Sequence, residues 1–236
     1  MNAGVVIRSI QSTASVSEAK HAQRFFKTGK GEYGYGDIFL GVRVPQVRKI
    51  ATANKDLALP QVEKLMASKF HEVRLCGLVI LTFKYKASRD ASVHKKLFDF
   101  YLKQLKAGRI NNWDLIDVTA PIIGQFLIGS KSSIQLLKKL ARSKSLWQRR
   151  ASIMFTFAYL RAGEVKPTIE ISKILLKDDH DLIQKAVGWA LREVGKIDSK
   201  LLRDFLKKNL NNTSRTTLRY AIEKFSVAER KKWLSK

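Results

Sequence analysis

At 236 residues the chain can bury about 70% or more of its unfolded surface, yet it is short enough for one body, so a single domain over 1–236 is expected. Hydrophobic residues make up 45% and prolines number four, which excludes a disordered polycation, while 45 Lys and Arg against 20 Asp and Glu give a formal net charge of +25. Residues 1–118 carry 20 basic and 10 acidic side chains and residues 119–236 carry 25 and 10. A basic tail on a neutral body is thereby excluded, and a surface basic throughout suits a polyanion such as duplex nucleic acid.

The N-terminal stretch Met1-Asn-Ala-Gly-Val-Val-Ile-Arg8 has too short an apolar part for a secretory signal, and no apolar run reaches about 18 residues. A soluble, cytoplasmic protein without membrane contact is expected. Gly29-Lys-Gly-Glu-Tyr-Gly34 matches G-x-G-x-x-G formally, but no strand precedes it, so it reads as a loop rather than a dinucleotide site. In Gly41-Val-Arg-Val-Pro45, Arg43 precedes a proline-initiated helix and is placed for an anion.

Beyond residue 45 the apolar residues recur at helical spacing, as in Val62, Leu65, Met66 and again in Leu97, Phe98, Tyr101, Leu102, Leu105. Cys76 lies in the apolar run Val73-Arg-Leu-Cys-Gly-Leu-Val-Ile-Leu81. As a lone cysteine it forms no internal disulfide and reads as buried structure in a reducing compartment. Breaks are predicted at 56–60, 107–108, 129–132, 163–167, 178–179, 195–198 and 209–214. Their spacing is that of helix hairpins.

Overlaying the second helix of each hairpin aligns Arg74, Asp114, Arg150, Lys185 and Arg215, at steps of 40, 36, 35 and 30 residues. This weak repeat predicts an all-α α-solenoid of HEAT-like helix pairs with a basic concave groove. Arg74, Arg150, Lys185 and Arg215 would form its stripe, and Asp114 breaks the series. Trp113, Asp117 and Trp189 fall on the same arc.

Trp113 and Asp117 stand four residues apart, on one face of a helix. Flanked by Ile116 and Val118, Asp117 is expected in a helix interior, where an Asp costs helix propensity, so the carboxylate invites a chemical role such as stabilising positive charge or orienting a water. In Leu146-Trp-Gln-Arg-Arg150, Arg150 is expected at a phosphate or at Asp117, with Arg149 and Trp147 at a helix end. Gly188 beside Trp189 admits a close approach of backbone or ligand. His21, His71, His94, His180 and Cys76 show no metal-ligand spacing, so no metal and no cofactor are implied.

Trp113-Asp-Leu-Ile-Asp117, Leu146-Trp-Gln-Arg-Arg-Ala151, Gln184-Lys-Ala-Val-Gly-Trp-Ala-Leu-Arg-Glu193 and Gly41-Val-Arg-Val-Pro45 together resemble the AlkD-type DNA glycosylases of the HEAT-like-repeat class over nearly the whole chain. The resemblance implies excision of cationic N3- and N7-alkylated purines, chiefly 3-methyladenine and 7-methylguanine, from double-stranded DNA without conventional base flipping. It makes Asp117 the catalytic carboxylate, Trp113 and Trp189 aromatic walls around the sugar, and Arg150, or its neighbour Arg149, a backbone-binding residue. A monomer is the simplest state. The alternative is a non-catalytic HEAT-like module that binds damaged or structured nucleic acid, with Asp117 serving only to hold Arg150.

Overall fold

The computed structural model describes residues 2–130 and 132–235. Lys131, within the predicted break at 129–132, lies outside the described residues. The fold is all-α and built of helical repeats; among the described residues the sole β feature is an isolated parallel bridge between Ile38 and Phe70. All four prolines occupy the first turn of a helix, Pro45 in α3 (Val44–Ala53), Pro60 in α4 (Leu59–Met66), Pro121 in α8 (Ala120–Ile123) and Pro167 in α11 (Lys166–Leu175). There a missing N–H leaves no helical bond unmade. Helices end where predicted at Gly108 and Gly163, both at positive φ (72° and 81°), the left-handed conformation that lets a last turn close.

The chain divides into two compact units, Met1–Phe126 and Leu127–Lys236. The first is organised around α5 (His71–Ala87), whose residues Val73 to Thr82 are all buried. A helix apolar on every side belongs in a core, and α1 (Ala3–Gln11), α3, α4, α6 (Ala91–Lys106), α7 (Trp113–Asp117) and α8 pack on it. Cys76 is buried in α5, and burial pushes its thiol up to about 12. It is a core residue, as the apolar run predicted.

Among the described residues the second unit contains the hairpins α9 (Ser133–Ala141) with α10 (Leu146–Arg161) and α11 with α12 (Asp181–Ile197), followed by α13 (Ser199–Asn209) and α14 (Arg215–Ala221), which both pack on α12, and by α15 (Val227–Leu234). The second helices pack in series, α10 on α12 and α12 on α14, which is the stacking the repeat predicted. Gly188 explains the closest of these contacts. A Cβ there would stand 2.5 Å from Tyr220 Cβ and 2.7 Å from the Thr217 carbonyl. The close approach is therefore to the α14 backbone.

Candidate active site

Trp113 and Asp117 are the first and last residues of α7, a helix of five residues. Asp117 thus closes a single turn and is not in a helix interior as expected. One turn has no intrinsic stability, because nucleation fixes several dihedrals for one hydrogen bond. The position of this turn must come from what grips it.

The grip is a buried polar network. Asn112 Oδ1 accepts the Trp113 N–H at 2.9 Å, and Asn112 Nδ2 donates to Asp37 Oδ2 at 3.3 Å. His71 Nδ1 lies 2.8 Å from Asp37 Oδ2 and its Nε2 lies 2.8 Å from Asp114 Oδ2. Arg74 binds the other oxygen of Asp37 at 2.5 Å, as well as Asn111 Oδ1 at 3.0 Å and the Ser68 carbonyl at 2.9 Å. The backbone of Ile38 receives the His71 N–H at 2.8 Å, so the loop carrying Asp37 is pinned to the start of α5.

His71 is 2% exposed in its side chain. Burial alone would lower its pKa; the charge and hydrogen bond of Asp114, with those of Asp37, outweigh it and raise the value to about 9. For Asp37, burial opposes ionisation, but the hydrogen bond and charge of His71 and then of Arg74 hold the carboxyl below its usual range. The imidazolium form places an N–H on each side, one for each carboxylate.

Aromatic rings complete this face. Phe26 stacks on Trp113 with centroids 5.3 Å apart and on Phe39 at 4.8 Å, and Phe39 stacks on His71 at 4.3 Å. Phe25, 59% exposed, meets Trp113 edge-on at 5.9 Å. A cavity of about 230 Å³ lies beside them, its wall including Phe25, Phe39, Leu75, His71 and Asp114. Asp117 is half-buried and its charge reaches Tyr101. Burial first, and then Asp117, push that buried hydroxyl's pKa upward, while the hydroxyl of Thr119 donates to it at 3.1 Å.

In the second unit, Trp189 is half-buried on α12 with the edge of its ring against Phe157, centroids 4.7 Å apart. Arg150 is 5% exposed, and its Nη1 donates to the Leu182 carbonyl. Arg149 holds a helix end, donating to Asp178 Oδ2 at 2.6 Å and to the carbonyls of Ser143 and Lys144 at 3.1 and 3.0 Å. Lys185 pairs with Asp181 at 2.7 Å, and exposed Arg215 donates to the Leu234 carbonyl at 2.7 Å.

Arg74 corrects the expected stripe. It is 5% exposed with its guanidinium enclosed by Asp37, Asn111 and Ser68, so it neutralises a buried carboxylate instead of meeting a phosphate. Arg43, 72% exposed in its side chain, pairs with Glu18 at 2.6 Å. The network residues Asp37, His71, Asn112 and Asp114 were not anticipated as site residues. Their one sequence signal is Asp114, a carboxylate in a register otherwise basic. Among the described residues no group of three or more His, Cys, Asp or Glu is arranged to hold a metal ion, and no helix is long and apolar enough to cross a membrane.

The model of a family described as DNA alkylation repair enzyme matches residues 6–225. The chain belongs to that family. A role in alkylation repair, with DNA as substrate, follows from membership. A solved structure with the same fold is that of a predicted DNA alkylation repair enzyme from Enterococcus faecalis, at a TM-score of 0.71 and 12% identity, covering 91% of this chain and 98% of that one. No curated protein matches.

Proposed function

We propose that this family member is a monofunctional DNA glycosylase that hydrolyses the N-glycosidic bond of cationic N3- and N7-alkylpurines in duplex DNA, without flipping the base. The reading rests on one observation above others: a one-turn helix that could not hold itself is clamped by a buried network, and it carries Trp113 and Asp117 at its two ends. A catalytic carboxylate gains from such pre-organisation.

An N-alkylated purine already bears positive charge, so its bond to the sugar breaks toward an oxocarbenium-like centre with little acid assistance. Asp117 would stabilise that charge and direct water to the anomeric carbon. At an effective dielectric of about 20, a carboxylate about 4 Å from a unit charge contributes about 4 kcal/mol, a factor of several hundred to a thousand in rate. Trp113 offers its ring face to the cationic sugar. The role proposed for Trp189 is a second aromatic surface; Arg150, as buried as Arg74 and donating to the Leu182 carbonyl, is proposed to tie α10 to α12 instead of meeting the DNA backbone. Arg43, Lys185, Arg215 and, with more constraint, Arg149 are proposed to add phosphate contacts that make binding salt dependent.

Selectivity then comes from the charge and lability of the lesion. Release of 7-methylguanine from duplex DNA with no comparable release of uracil is the expected result. Equal rates on both lesions would contradict the mechanism, and tight binding with no release of either would favour a non-catalytic DNA-binding module.

A further inference from the structure

Two points of α7's first turn are held from outside, Asn112 through Asp37 and Asp114 through His71. His71 is the joint of this arrangement, since it bonds Asp37 and Asp114 at once, 2.8 Å from each. Trp113 lies between the two gripped residues, and Asp117 follows Asp114 by three positions. His71 thereby links the loop of Asp37 to the turn that bears both.

We propose that His71 is a positioning residue for the reaction: through the Asp37–His71–Asp114 chain it sets the placement of the helical turn from which Trp113 and Asp117 project. The proposal rests on the glycosylase reading for its catalytic consequence. The His71 side chain is 2% exposed. Its surroundings fit a fixed imidazolium: Asp37, itself bonded by Asn112, faces it from a loop, Asp114 from α7, Arg74 and Glu72 come from its own helix, and Phe39 stacks on its ring. Glu18, His21 and Arg43 also line the cavity beside it. With the proton present, both ring nitrogens donate; without it, one nitrogen lone pair faces a carboxylate oxygen and the chain breaks at that point.

The experiment compares wild type, His71→Leu, Asp114→Asn and a core control, Val62→Ala, at a temperature where each is folded. Single-turnover release is measured on a duplex carrying one 7-methylguanine, affinity on the unmodified duplex of the same sequence, and hydrogen exchange over residues 113–118. For His71→Leu the expected result is a rate loss of 30-fold or more, affinity within twofold of wild type, and lost protection confined to 113–118. Val62→Ala, equally a core change, should keep its rate within twofold.

The pH profile gives a readout that general destabilisation would not move. Wild-type rate should fall as pH rises through about 9, the value of His71 in the fold. In Asp114→Asn, where a charge that raises His71 is gone, that break should move to lower pH. A titration of the lesion would appear in both profiles alike. Unchanged protection of 113–118 in His71→Leu, or a rate loss matched by Val62→Ala, overturns the positioning role. Absence of release by wild type, with protection still lost in His71→Leu alone, overturns the glycosylase reading and leaves the structural part of the proposal standing.

Discussion

The carboxylate of Glu72 accepts the backbone N–H of Gly41 at 2.8 Å, and with the N–H groups of Leu40 and Val42 it receives three successive donors from one loop. Glu72 is buried, so these bonds replace water at both ends. Gly41 is required there: its φ is 75°, and a Cβ would stand 2.2 Å from the Ser15 carbonyl. The loop between Asp37 and α3 is therefore shaped by a side chain at the start of α5.

Glu72→Ala should leave three donors without an acceptor. A loss on the order of 3–5 kcal/mol in unfolding free energy is expected. Urea denaturation measures it, and a change below about 1 kcal/mol would mean that water replaces the carboxylate in solution.

The elevated pKa of His71 has a definite sign for stability. A group protonated more readily in the fold contributes stability that is fully present below its unfolded value of 6.5 and is lost as pH rises through about 9. The span corresponds to about 3 kcal/mol. Asp37 acts oppositely: its carboxyl is held low, so its contribution is present above 3.8 and lost as pH falls through the depressed folded value. Denaturation midpoints between pH 6 and 10 should fall in wild type and remain flatter in His71→Leu. Parallel curves for the two proteins would contradict this.

Arg74 and Arg215 separate structure from binding. Removal of Arg74 leaves Asp37 buried with one cation fewer, and about 3–5 kcal/mol of stability should be lost. Arg215→Ala should leave stability within about 0.5 kcal/mol and reduce the salt slope of DNA binding by about 1. Affinity measured across a salt series checks both. A changed slope for a folded Arg74 variant would show that its charge is sensed by DNA after all.

Gly188→Ala should destabilise the second unit by about 1–3 kcal/mol, because the added methyl meets the Thr217 carbonyl at 2.7 Å and backbone cannot rotate away. A variant as stable as wild type would mean that α14 shifts freely on α12.

The helical repeat was legible because its signals are local. Prolines at helix starts, glycines at helix ends and the apolar run around Cys76 each act within a few residues of themselves. The shared register of Arg74 and Arg150 was also readable, and both residues do lie near the start of a second helix, fourth in α5 and fifth in α10. Their exposure was not, because Asp37 precedes Arg74 by 37 positions and Leu182 follows Arg150 by 32. Helix periodicity carries no information about a partner that arrives from another segment. The same holds for the His71–Asp114 bond, although Asp114's departure from a basic register marked the place where that partner was needed.

Asp117 is proposed to act on the reaction and not on DNA binding. Single-turnover release of 7-methylguanine from a defined duplex by wild type and Asp117→Asn, with affinity determined at the same salt, addresses it directly. The expected result is a rate loss of about a hundredfold or more with affinity nearly unchanged. Equal rates for the two proteins, or a rate loss accompanied by an equal loss of affinity, would contradict it.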